Sequence, residues 1–359
     1  MPIYYKAHTS GLFLCIRRNG YNKNMNFKNL FLGLCISFSI QTFSKEYLIG
    51  FGSCIDQDFP QPIWNSIKDK NIDSFMFLGD NVYGDEPSGN LVKLKKSYET
   101  QSNLFPEWLK QKKIISIWDD HDYGINDGGG DFVNKHQSQK LFLDFWNIPN
   151  NDVRHSREGL YFNELLDIDG FKVNLIVLDT RFFRSKLNSN KAPYIPNDNK
   201  STTILGDAQW SWFEEVLQQK SDLILVLSSI QVIPKDHIFE KWELFPHERL
   251  RLINMLESQK TKSLILSGDR HKGGLYKKGN LIELTSSSLN KPTSAARRLK
   301  KLRFVPNFFK KELIETDEYL VTKIYNYENF GLIKIKSDTK EIEISLNDID
   351  GNTIFSNKI

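Results

Sequence analysis

Six short apolar segments, each of which stops at a polar residue, constrain the fold of this chain more than any other feature of its sequence. Each has the length and the β-branched or aromatic composition of a buried strand. The segments begin at Tyr47, Ser74, Ile114, Val173, Leu223 and Leu264, and the polar residues that end them are Cys54, Asp80, Asp120, Asp179, Ser228 and Asp269. Helix-like stretches lie between them. Alternating strands and helices predict an α/β architecture with largely buried sheets.

The polar residues at the strand ends predict a binding site. In α/β folds the carboxyl ends of parallel strands meet at one edge of the sheet, and ligands bind there. A single Asp after a strand is usually a turn or a helix cap. A whole set of thiol, carboxylate and hydroxyl side chains at successive strand ends is hard to explain by packing. We therefore expect these side chains to lie close together.

The composition excludes two broad classes of protein. The chain has 359 residues, and with 40% of them hydrophobic it can bury a sizeable core, so it is not disordered as a whole. The formal net charge of +4 is too small to indicate nucleic-acid binding, and no nucleic-acid-binding motif is found. Because the motifs are spread over most of residues 45–359, we predict that this range forms one domain, and we expect a monomer.

The N-terminus has the pattern of an export signal. The apolar segment from Leu30 to Ile40 is too short to span a bilayer comfortably. It is followed by Thr42-Phe43-Ser44, which suits signal peptidase. We predict a leader over residues 1–44 that is cleaved after Ser44, and export to the periplasm or the medium; the alternative is an uncleaved anchor. Cys54 would then be the single cysteine of the mature protein, and a metal would protect its thiol.

The densest cluster of ionisable side chains lies at residues 119–122. Asp119, Asp120, His121 and Asp122 place three carboxylates and an imidazole in four positions. Such a cluster repels itself unless a cation compensates the charge. The glycines at 128–130 would let the backbone approach a ligand closely. The alternative is an ordinary polar loop.

Two further clusters of potential metal ligands follow glycines at strand ends: Asp80 with Tyr83, and Asp269 with His271. Asp80 has two carboxylate oxygens and could bridge two metals. Tyr83 as a phenolate would imply a strongly Lewis-acidic ion such as ferric iron, although Tyr83 taken alone would be a packing residue. Asp269 and His271 point to one face if the backbone between them stays extended. A thiolate at Cys54 would be a soft ligand beside them.

These motifs resemble those of the alkaline phosphatase D, or PhoD-like, family of metallophosphoesterases. The resemblance covers nearly all of the chain after the leader, and the order and spacing of the motifs make it specific. The motifs are Phe-Gly-Ser-Cys54, Gly-Asp80-Asn-Val-Tyr83, Trp-Asp-Asp-His-Asp-Tyr-Gly at 118–124, Leu-Asp179-Thr-Arg181 and Ser-Gly-Asp269-Arg-His271. The resemblance implies a two-sheet β sandwich flanked by helices, with the layer order α/β/β/α.

The resemblance also implies a site with Fe³⁺ and Ca²⁺. Cys54, Asp80, Tyr83 and His271 would hold the iron, and Asp80, Asp120 and Asp269 would face the second metal, with Asn126 as a further contact. His121 would assist the leaving group. Arg181 and Asp179 are expected either to support the ligands from behind or to bind the phosphate. Arg270 or Arg181 is expected to pair with the charge on the phosphoryl oxygens.

The implied activity is metal-dependent hydrolysis of phosphate esters. Metals supply positive charge and lower the pKa of bound water from about 15.7 to about 7, so that hydroxide can attack phosphorus at neutral pH. An alternative is a phosphodiesterase or phospholipase that acts on membrane-derived diesters. A third possibility, from another class, is a calcium-binding surface or adhesion protein with structural acidic loops. A fourth is an inactive relative that serves as a binding module.

Three other segments carry weaker expectations. The basic and aromatic segment 290–311 favours contact with an anionic substrate or a membrane surface, or is simply a solvated loop. Residues 184–203 are polar and predict a surface loop. Residues 330–346 alternate in hydrophobicity, which predicts a β-hairpin that closes a sheet edge.

Overall fold

The computed structural model describes residues 46–293 and 315–359, and within these ranges twelve strands form two mixed sheets of six strands each. The first sheet has the order β12-β11-β10-β1-β2-β3. Its strands are β1 (Glu46–Gly52), β2 (Ser74–Leu78), β3 (Lys113–Ile117), β10 (Asn329–Lys336), β11 (Glu341–Asp348) and β12 (Thr353–Lys358). Because β1, β2 and β3 are parallel, their carboxyl ends lie at the same edge.

The second sheet has the order β4-β5-β6-β7-β9-β8. Its strands are β4 (Phe162–Ile168), β5 (Phe171–Val177), β6 (Leu223–Ser228), β7 (Lys262–Ser267), β8 (Gly273–Lys278) and β9 (Leu281–Ser286). The central strands β5, β6, β7 and β9 are parallel, whereas β4 and β8 pair antiparallel at the two edges. The carboxyl ends of β5, β6 and β7 therefore also share one edge.

The core between the two sheets follows from the alternation of side chains along each strand. Leu223, Leu225 and Leu227 of β6 are buried among residues of both sheets, whereas Ile224 and Val226 are buried against helices on the outer face. A strand with apolar residues on both faces must be covered on both sides. Each such leucine contributes about 1.5–3 kcal/mol on burial. This pattern explains why the apolar segments read as continuous in the sequence.

Helices cover the outer faces of both sheets. They are α1 (Ile63–Asp69), α2 (Val92–Leu104), α3 (Glu107–Lys110), α4 (Asp120–Tyr123), α5 (Lys135–Phe145), α6 (Gly206–Val216) and α7 (Pro246–Glu257). Trp210 of α6 and Leu252 of α7 are buried with Ile224 of the second sheet. On the other side, Trp64 of α1 lies against Phe75 of the first sheet, with ring centroids 5.4 Å apart. The layer order α/β/β/α is therefore confirmed.

All six strands predicted from the apolar segments are present, but they are divided three and three between the sheets. The strands β4, β8, β9 and β12 were not predicted. β12 is exposed or half-buried along its whole length and carries no strong apolar pattern. The hairpin of β10 and β11 is confirmed, but the expectation that it closes the sheet was wrong, because β12 pairs with β11 and forms the edge.

Three other sequence predictions concern the loop at 184–203, the leader and the basic segment 290–311. Residues 184–203 contain no helix or strand, as predicted for a loop, yet Arg184 and Tyr194 within them are buried. The leader with its cleavage site after Ser44, and most of the basic segment 290–311, lie outside the described residues. In the two described ranges, no helix combines the length and the apolar character that crossing a membrane requires.

Candidate metal centre

The ends of β1, β2 and β3 from one sheet and of β7 from the other bring potential metal ligands together. Their ligand atoms fall into three groups, and within each group all atoms lie within 4.8 Å of one another. The groups are Cys54, Asp80 and His271; Asp80, Asp120 and His121; and Asp80, Asp119, Asp120 and Asp269. Asp80 belongs to all three. A carboxylate shared in this way suits two cations that lie side by side.

The first group has the spacing of ligands around one ion. The Sγ atom of Cys54 lies 3.3 Å from Oδ2 of Asp80, and the phenol of Tyr83 donates to the same oxygen at 3.0 Å. The Tyr83 hydroxyl also lies 3.4 Å from Nε2 of His271. Ligands that each stand about 2.0–2.3 Å from a metal are separated by about 3 Å. Cys54, Asp80, Tyr83 and His271 therefore converge as one ligand set would.

Two buried carboxylate oxygens support the presence of a cation. Among the described residues, Oδ1 of Asp80 and Oδ2 of Asp119 are buried and have no hydrogen-bond partner. A buried polar atom without a partner is costly and calls for an explanation such as an ion. The residues present therefore fit a metal site.

The charge of the cluster leads to the same conclusion. Burial raises the pKa of Asp80 to about 7, with His121 acting in the opposite direction and Asp120 adding to the rise. Burial, followed by the charges of Asp119 and Asp120, raises the pKa of Asp269 well above its usual value. These shifts arise because several carboxylates are buried together away from solvent. A bound cation would reduce the repulsion between them.

His271 is prepared to act as a neutral ligand. Burial lowers its pKa to about 3, so the imidazole is uncharged at neutral pH. Its Nδ1 lies 2.5 Å from the carbonyl oxygen of Lys291 and donates to it. That hydrogen bond sets the tautomer in which Nε2, which lies toward Tyr83, carries the lone pair. Burial, and then the charge of Asp80, raise the pKa of Cys54 and of Tyr83 well above their usual values.

The backbone at the site is unusual. Cys54, Asp80, Asp269 and His271 have φ angles of 58°, 50°, 65° and 54°. Residues other than glycine seldom adopt this left-handed region, and such conformations concentrate at functional sites. The expectation of an extended backbone between Asp269 and His271 was therefore wrong. Both side chains reach the cluster because the chain turns sharply at each of them.

Two glycines let the strand ends approach closely. Gly79 has φ of 96°, and a Cβ atom there would lie 2.6 Å from Cβ of Asp119. A Cβ atom at Gly268 would lie 2.6 Å from Oγ of Ser53 and 2.7 Å from the carbonyl oxygen of Leu78. Such distances leave no room for any larger residue. Gly268 thus brings the end of β7 against the ends of β1 and β2.

The four residues 119–122 are held by hydrogen bonds to neighbouring strands. The carboxylate of Asp122 accepts from the backbone N–H groups of Asn81 and Asp119, both at 3.0 Å, which ties the end of β3 to the end of β2. Asp119 accepts from Nε of Arg181 and from the hydroxyl of Ser229, both at 2.6 Å. Asp119 was not among the predicted ligands, although its neighbour Asp120 was.

His121 pairs with an acidic residue that the sequence reasoning missed. Its Nδ1 lies 2.5 Å from Oδ1 of Asp85. Burial acts to lower the pKa of His121, but the carboxylates of Asp120, Asp80 and Asp85 outweigh it and raise the pKa well above its usual value. These neighbouring carboxylates therefore favour the imidazolium form of His121. No feature of the sequence around Asp85 had indicated this contact.

Arg181 lies behind the carboxylate cluster. Its side chain is fully buried, and it pairs with Asp119 and, at 2.5 Å, with Glu240. Glu240 also pairs with Arg184 at 2.8 Å. Asp179 accepts from the indole N–H of Trp118 at 2.9 Å. Arg181 and Asp179 thus support the site from within the fold, and neither lines the cavity in front of it.

A cavity of about 640 Å³ opens onto the cluster. Its lining includes the predicted site residues Asp120, His121, Asn126, Asp269, Arg270 and His271. Lys191 and Lys272 add positive charge to its walls. The exposed Asn126 donates to Asp127 at 2.6 Å. A second cavity of about 390 Å³ adjoins the first and shares Asn126 and Tyr194 with it.

A family model described as PhoD-like phosphatase matches residues 96–346, well over half of the chain. The chain belongs to the PhoD-like phosphatase family. The matched range includes Asp120, His121, Asp269 and His271 of the centre. Cys54 precedes that range, as do Asp80 and Tyr83, and the fold brings them to the residues within it.

Two solved structures have a similar fold. One, titled "Structure of PhoD", is 16% identical with a TM-score of 0.60, and the match covers 84% of this chain and 65% of that one. The other is GAP50, described as the anchor in the inner membrane complex of Plasmodium; it is 11% identical with a TM-score of 0.55, and 88% of each chain is covered. This PhoD-like chain thus spans about two thirds of the PhoD structure. A comparison with curated protein sequences gives no match.

Proposed function

We propose that this PhoD-like protein hydrolyses phosphate esters at a two-metal centre. The observation that carries the proposal is Asp80, whose carboxylate is common to all three groups of potential ligands. Enzymes that hydrolyse phosphate esters commonly use two metal ions about 3.5–4 Å apart, which requires a shared ligand of this kind. The cavity in front of the cluster gives a substrate access to it.

We assign two sets of ligands. Cys54, Asp80, Tyr83 and His271 would hold Fe³⁺; the thiol and the phenol suit a strongly Lewis-acidic ion that can deprotonate both. Asp80, Asp120 and Asp269 would hold Ca²⁺, an ion that prefers oxygen ligands, with Asn126 as a further contact. Bound metal ions would supply positive charge to the phosphoryl group and lower the pKa of a water molecule.

His121 is assigned the role of the general acid. Asp85 holds Nδ1, which leaves Nε2 to meet the leaving-group oxygen of a substrate in the cavity. General acid catalysis contributes about 10²–10⁴-fold. His121 also falls into one ligand group with Asp80 and Asp120, so a metal ligand is the competing role. The contact with Asp85 fits either role, because metal-bound histidines also donate their second ring nitrogen to a carboxylate. The role of acid follows the resemblance to the PhoD-like family, and the metal content of a His121 variant separates the two roles.

The two arginines are assigned different roles. Arg270 lines the cavity and would pair with the phosphoryl oxygens. Arg181 is buried away from the cavity and would act by positioning Asp119. A guanidinium with two carboxylate partners holds a fixed orientation, which suits a supporting role.

The test combines metal analysis with phosphate release from monoesters and diesters measured side by side. The proposal expects two metals per chain and hydrolysis that is lost on chelation. Faster hydrolysis of diesters would favour the phosphodiesterase or phospholipase alternative. Calcium-dependent folding without any hydrolysis would refute the enzyme and support a structural calcium protein. Cys54→Ala should lose or exchange the iron, and a variant with full metal content would remove Cys54 from the ligand set.

We also propose that the protein is exported, is cleaved after Ser44 and acts as a monomer. The support is the sequence pattern of residues 1–44 and the single described cysteine, Cys54, which is a free, buried thiol. N-terminal sequencing of protein recovered from the medium or the periplasm tests the cleavage, and light scattering tests the monomer. An N-terminus that starts before residue 30 would contradict cleavage.

A further inference from the structure

Lys291 contacts two of the residues that we assign to Fe³⁺. Its backbone carbonyl oxygen accepts the hydrogen bond from Nδ1 of His271 at 2.5 Å. Its ammonium lies over the aromatic ring of Tyr83, with Nζ 3.1 Å from the ring centroid. Lys291 thus holds one assigned ligand through its backbone and covers a second with its side chain.

The ammonium of Lys291 is held in place by a buried acidic partner. Nζ lies 2.6 Å from Oδ2 of Asp56, and only 19% of the lysine side chain and 5% of the aspartate side chain are exposed. The preceding residue, Asn290, fixes the backbone of the same partner. Its Oδ1 accepts from the N–H of Asp56 at 2.7 Å, and its Nδ2 donates to the carbonyl oxygen of Asp56 at 2.9 Å. Residues 290 and 291 are therefore fixed relative to Asp56.

The ring of Tyr83 is tied to the same segment of chain. The backbone N–H of Tyr83 donates to Oε1 of Gln57 at 2.8 Å, and Nε2 of Gln57 donates to the carbonyl oxygen of Tyr83 at 3.4 Å. Gln57 directly follows Asp56. Because Asp56 holds the ammonium and Gln57 holds Tyr83, the charge is kept over the ring.

The position of Lys291 distinguishes it from a lysine that binds substrate. It does not line the cavity in front of the metal centre, whereas Pro292 and Thr293 do. Its charge is directed at Tyr83, of which only 5% of the surface is exposed. The side chain therefore acts on the centre through the phenol ring.

A cation over an aromatic ring is attracted to the electron-rich face, and more strongly where both groups are desolvated. The attraction increases when the phenol becomes a phenolate, because charge then acts on charge. An ammonium in this position stabilises the electrons of the phenolate. It thereby reduces the electron density that the phenolate oxygen donates to a metal ion.

We propose that Lys291 is a positioning residue that sets the electron-donating strength of Tyr83 toward Fe³⁺, by placing a fixed positive charge over the phenol ring while its carbonyl oxygen orients His271. The proposal rests on the proposed function and deepens it, since it concerns the same metal centre. With this charge in place, a bound ion keeps more of its own positive charge and polarises a phosphate ester more strongly.

The experiment loads the metal-free protein with Fe³⁺ and Ca²⁺ and compares the wild type with Lys291→Met, which removes the charge and retains the backbone carbonyl. The visible absorption that is lost in Tyr83→Phe identifies the phenolate-to-iron charge-transfer band. In Lys291→Met this band should move to longer wavelength, because the ammonium no longer stabilises the ring electrons. The ratio of ferric to ferrous affinity should rise about tenfold, since a nearby positive charge is lost; tenfold corresponds to a fall of about 59 mV in reduction potential.

Two matched variants test whether the charge is the cause. Lys291→Arg keeps a cation and should keep the band near its wild-type position. Lys140→Met removes a lysine that also pairs with an aspartate, Asp144 at 2.8 Å, but on the exposed face of α5, and should change neither the band nor the affinity ratio.

The band position separates this role from a merely structural one. A lower Tm in Lys291→Met with an unmoved band and an unchanged affinity ratio overturns the proposal, as does a shift to shorter wavelength. A wild-type protein that binds no Fe³⁺, or that shows no phenolate band, overturns it as well. If Lys291→Met does not fold, the double variant Asp56→Asn/Lys291→Met decides, because it leaves no unpaired carboxylate and should still shift the band to longer wavelength.

Hydrolysis of 4-nitrophenyl phosphate and bis(4-nitrophenyl) phosphate, measured on the same samples, separates this proposal from the proposed function. If the band and the affinity ratio shift as expected but neither ester is hydrolysed, the phosphoesterase function fails and the role of Lys291 stands. If an ester is hydrolysed and the band lies at the same wavelength in the wild type and in Lys291→Met, the role of Lys291 fails alone.

Discussion

Removing the metal ions should make the stability of this protein fall steeply as the pH rises. The perturbation is a chelator, which leaves the carboxylates of Asp80, Asp119, Asp120 and Asp269 facing one another in a buried space. Arg181 and His121 compensate part of their charge. When ionised, these groups repel one another without a cation between them. The metal-loaded protein should show no such fall, because the cations offset the repulsion.

The sign follows from the folded-state pKa of Asp80. Burial raises it from 3.8 to about 7, so at intermediate pH the folded chain binds a proton that the unfolded chain does not. The contribution of Asp80 to the stability of the metal-free protein is therefore full below about pH 4 and is lost as the pH rises to about 7. Asp269 acts in the same direction. Asp120 acts in the opposite direction, because His121 and Arg181 overcome its burial and lower its pKa, and its contribution is complete above about pH 4.

The size of the effect can be worked out from Asp80 alone. Between pH 5 and pH 8 the raised pKa of Asp80 lowers the free energy of unfolding by about 2.5 kcal/mol through proton linkage. In a protein of roughly this size each kcal/mol lowers the Tm by about 2–4 °C, so the metal-free Tm should fall by about 5–10 °C. Metal binding needs deprotonated ligands, so the gap between loaded and metal-free protein widens over the same pH window.

Thermal unfolding followed by circular dichroism at pH 5, 6, 7 and 8, with and without chelator at constant ionic strength, measures the gap. Asp80→Asn should make the fall in the metal-free protein smaller by about the 2.5 kcal/mol worked out for Asp80, because the amide does not titrate; the part due to Asp269 remains. Asp69→Asn on the exposed side of α1 is the matched control and should leave it unchanged. A metal-free Tm that stays level or rises from pH 5 to pH 8 would refute the assignment of a cation-dependent carboxylate cluster.

Three further predictions concern the residues around His121 and Arg181. His121→Gln should lower kcat by about 10²–10⁴-fold with both metals retained in elemental analysis; loss of metal would make His121 a ligand instead. Asp85→Asn should lower the pKa of His121 by removing its acidic partner, so the alkaline fall in kcat should move to lower pH at constant metal content, and an unmoved profile would exclude this pairing. Arg181→Met should cost about 3–5 kcal/mol in urea unfolding, because it leaves the buried carboxylate of Asp119 without an ionic partner and removes one of the two arginines that pair with Glu240; a loss below about 1 kcal/mol would contradict the buried ion pairs.

The sequence allowed the strands of the site to be predicted because each is buried on both faces. Segments such as the one that ends at Asp269 read as continuous apolar stretches, which is the signature of a covered strand. The sequence did not predict how these strands divide between two sheets, because buried strands of both sheets have the same continuous apolar pattern. β12 carries little apolar signal, and its place at the sheet edge depends on pairing with β11 rather than on burial.

The side chains of the centre were predictable where they end strands, and unpredictable where loops bring them in. Cys54, Asp80 and Asp269 follow apolar segments, so their meeting at one edge could be anticipated. Asp85 reaches His121 across a loop, and Glu240 reaches Arg181 from a distant part of the chain. Such contacts depend on loop conformations that a single sequence does not encode in any periodic pattern. The left-handed turns at Asp269 and His271 were missed for the same reason.

The groups that meet at the centre come from both sheets of the sandwich. Cys54, Asp80 and Asp120 follow strands of one sheet, and Asp269 and His271 follow a strand of the other. Unlike a zinc finger, whose ligands are close in sequence and fold around the ion, this chain cannot assemble its ligand set until both layers have docked. Metal uptake is therefore expected to be the last event of maturation. The bound ions would link two sheets that have already packed against each other.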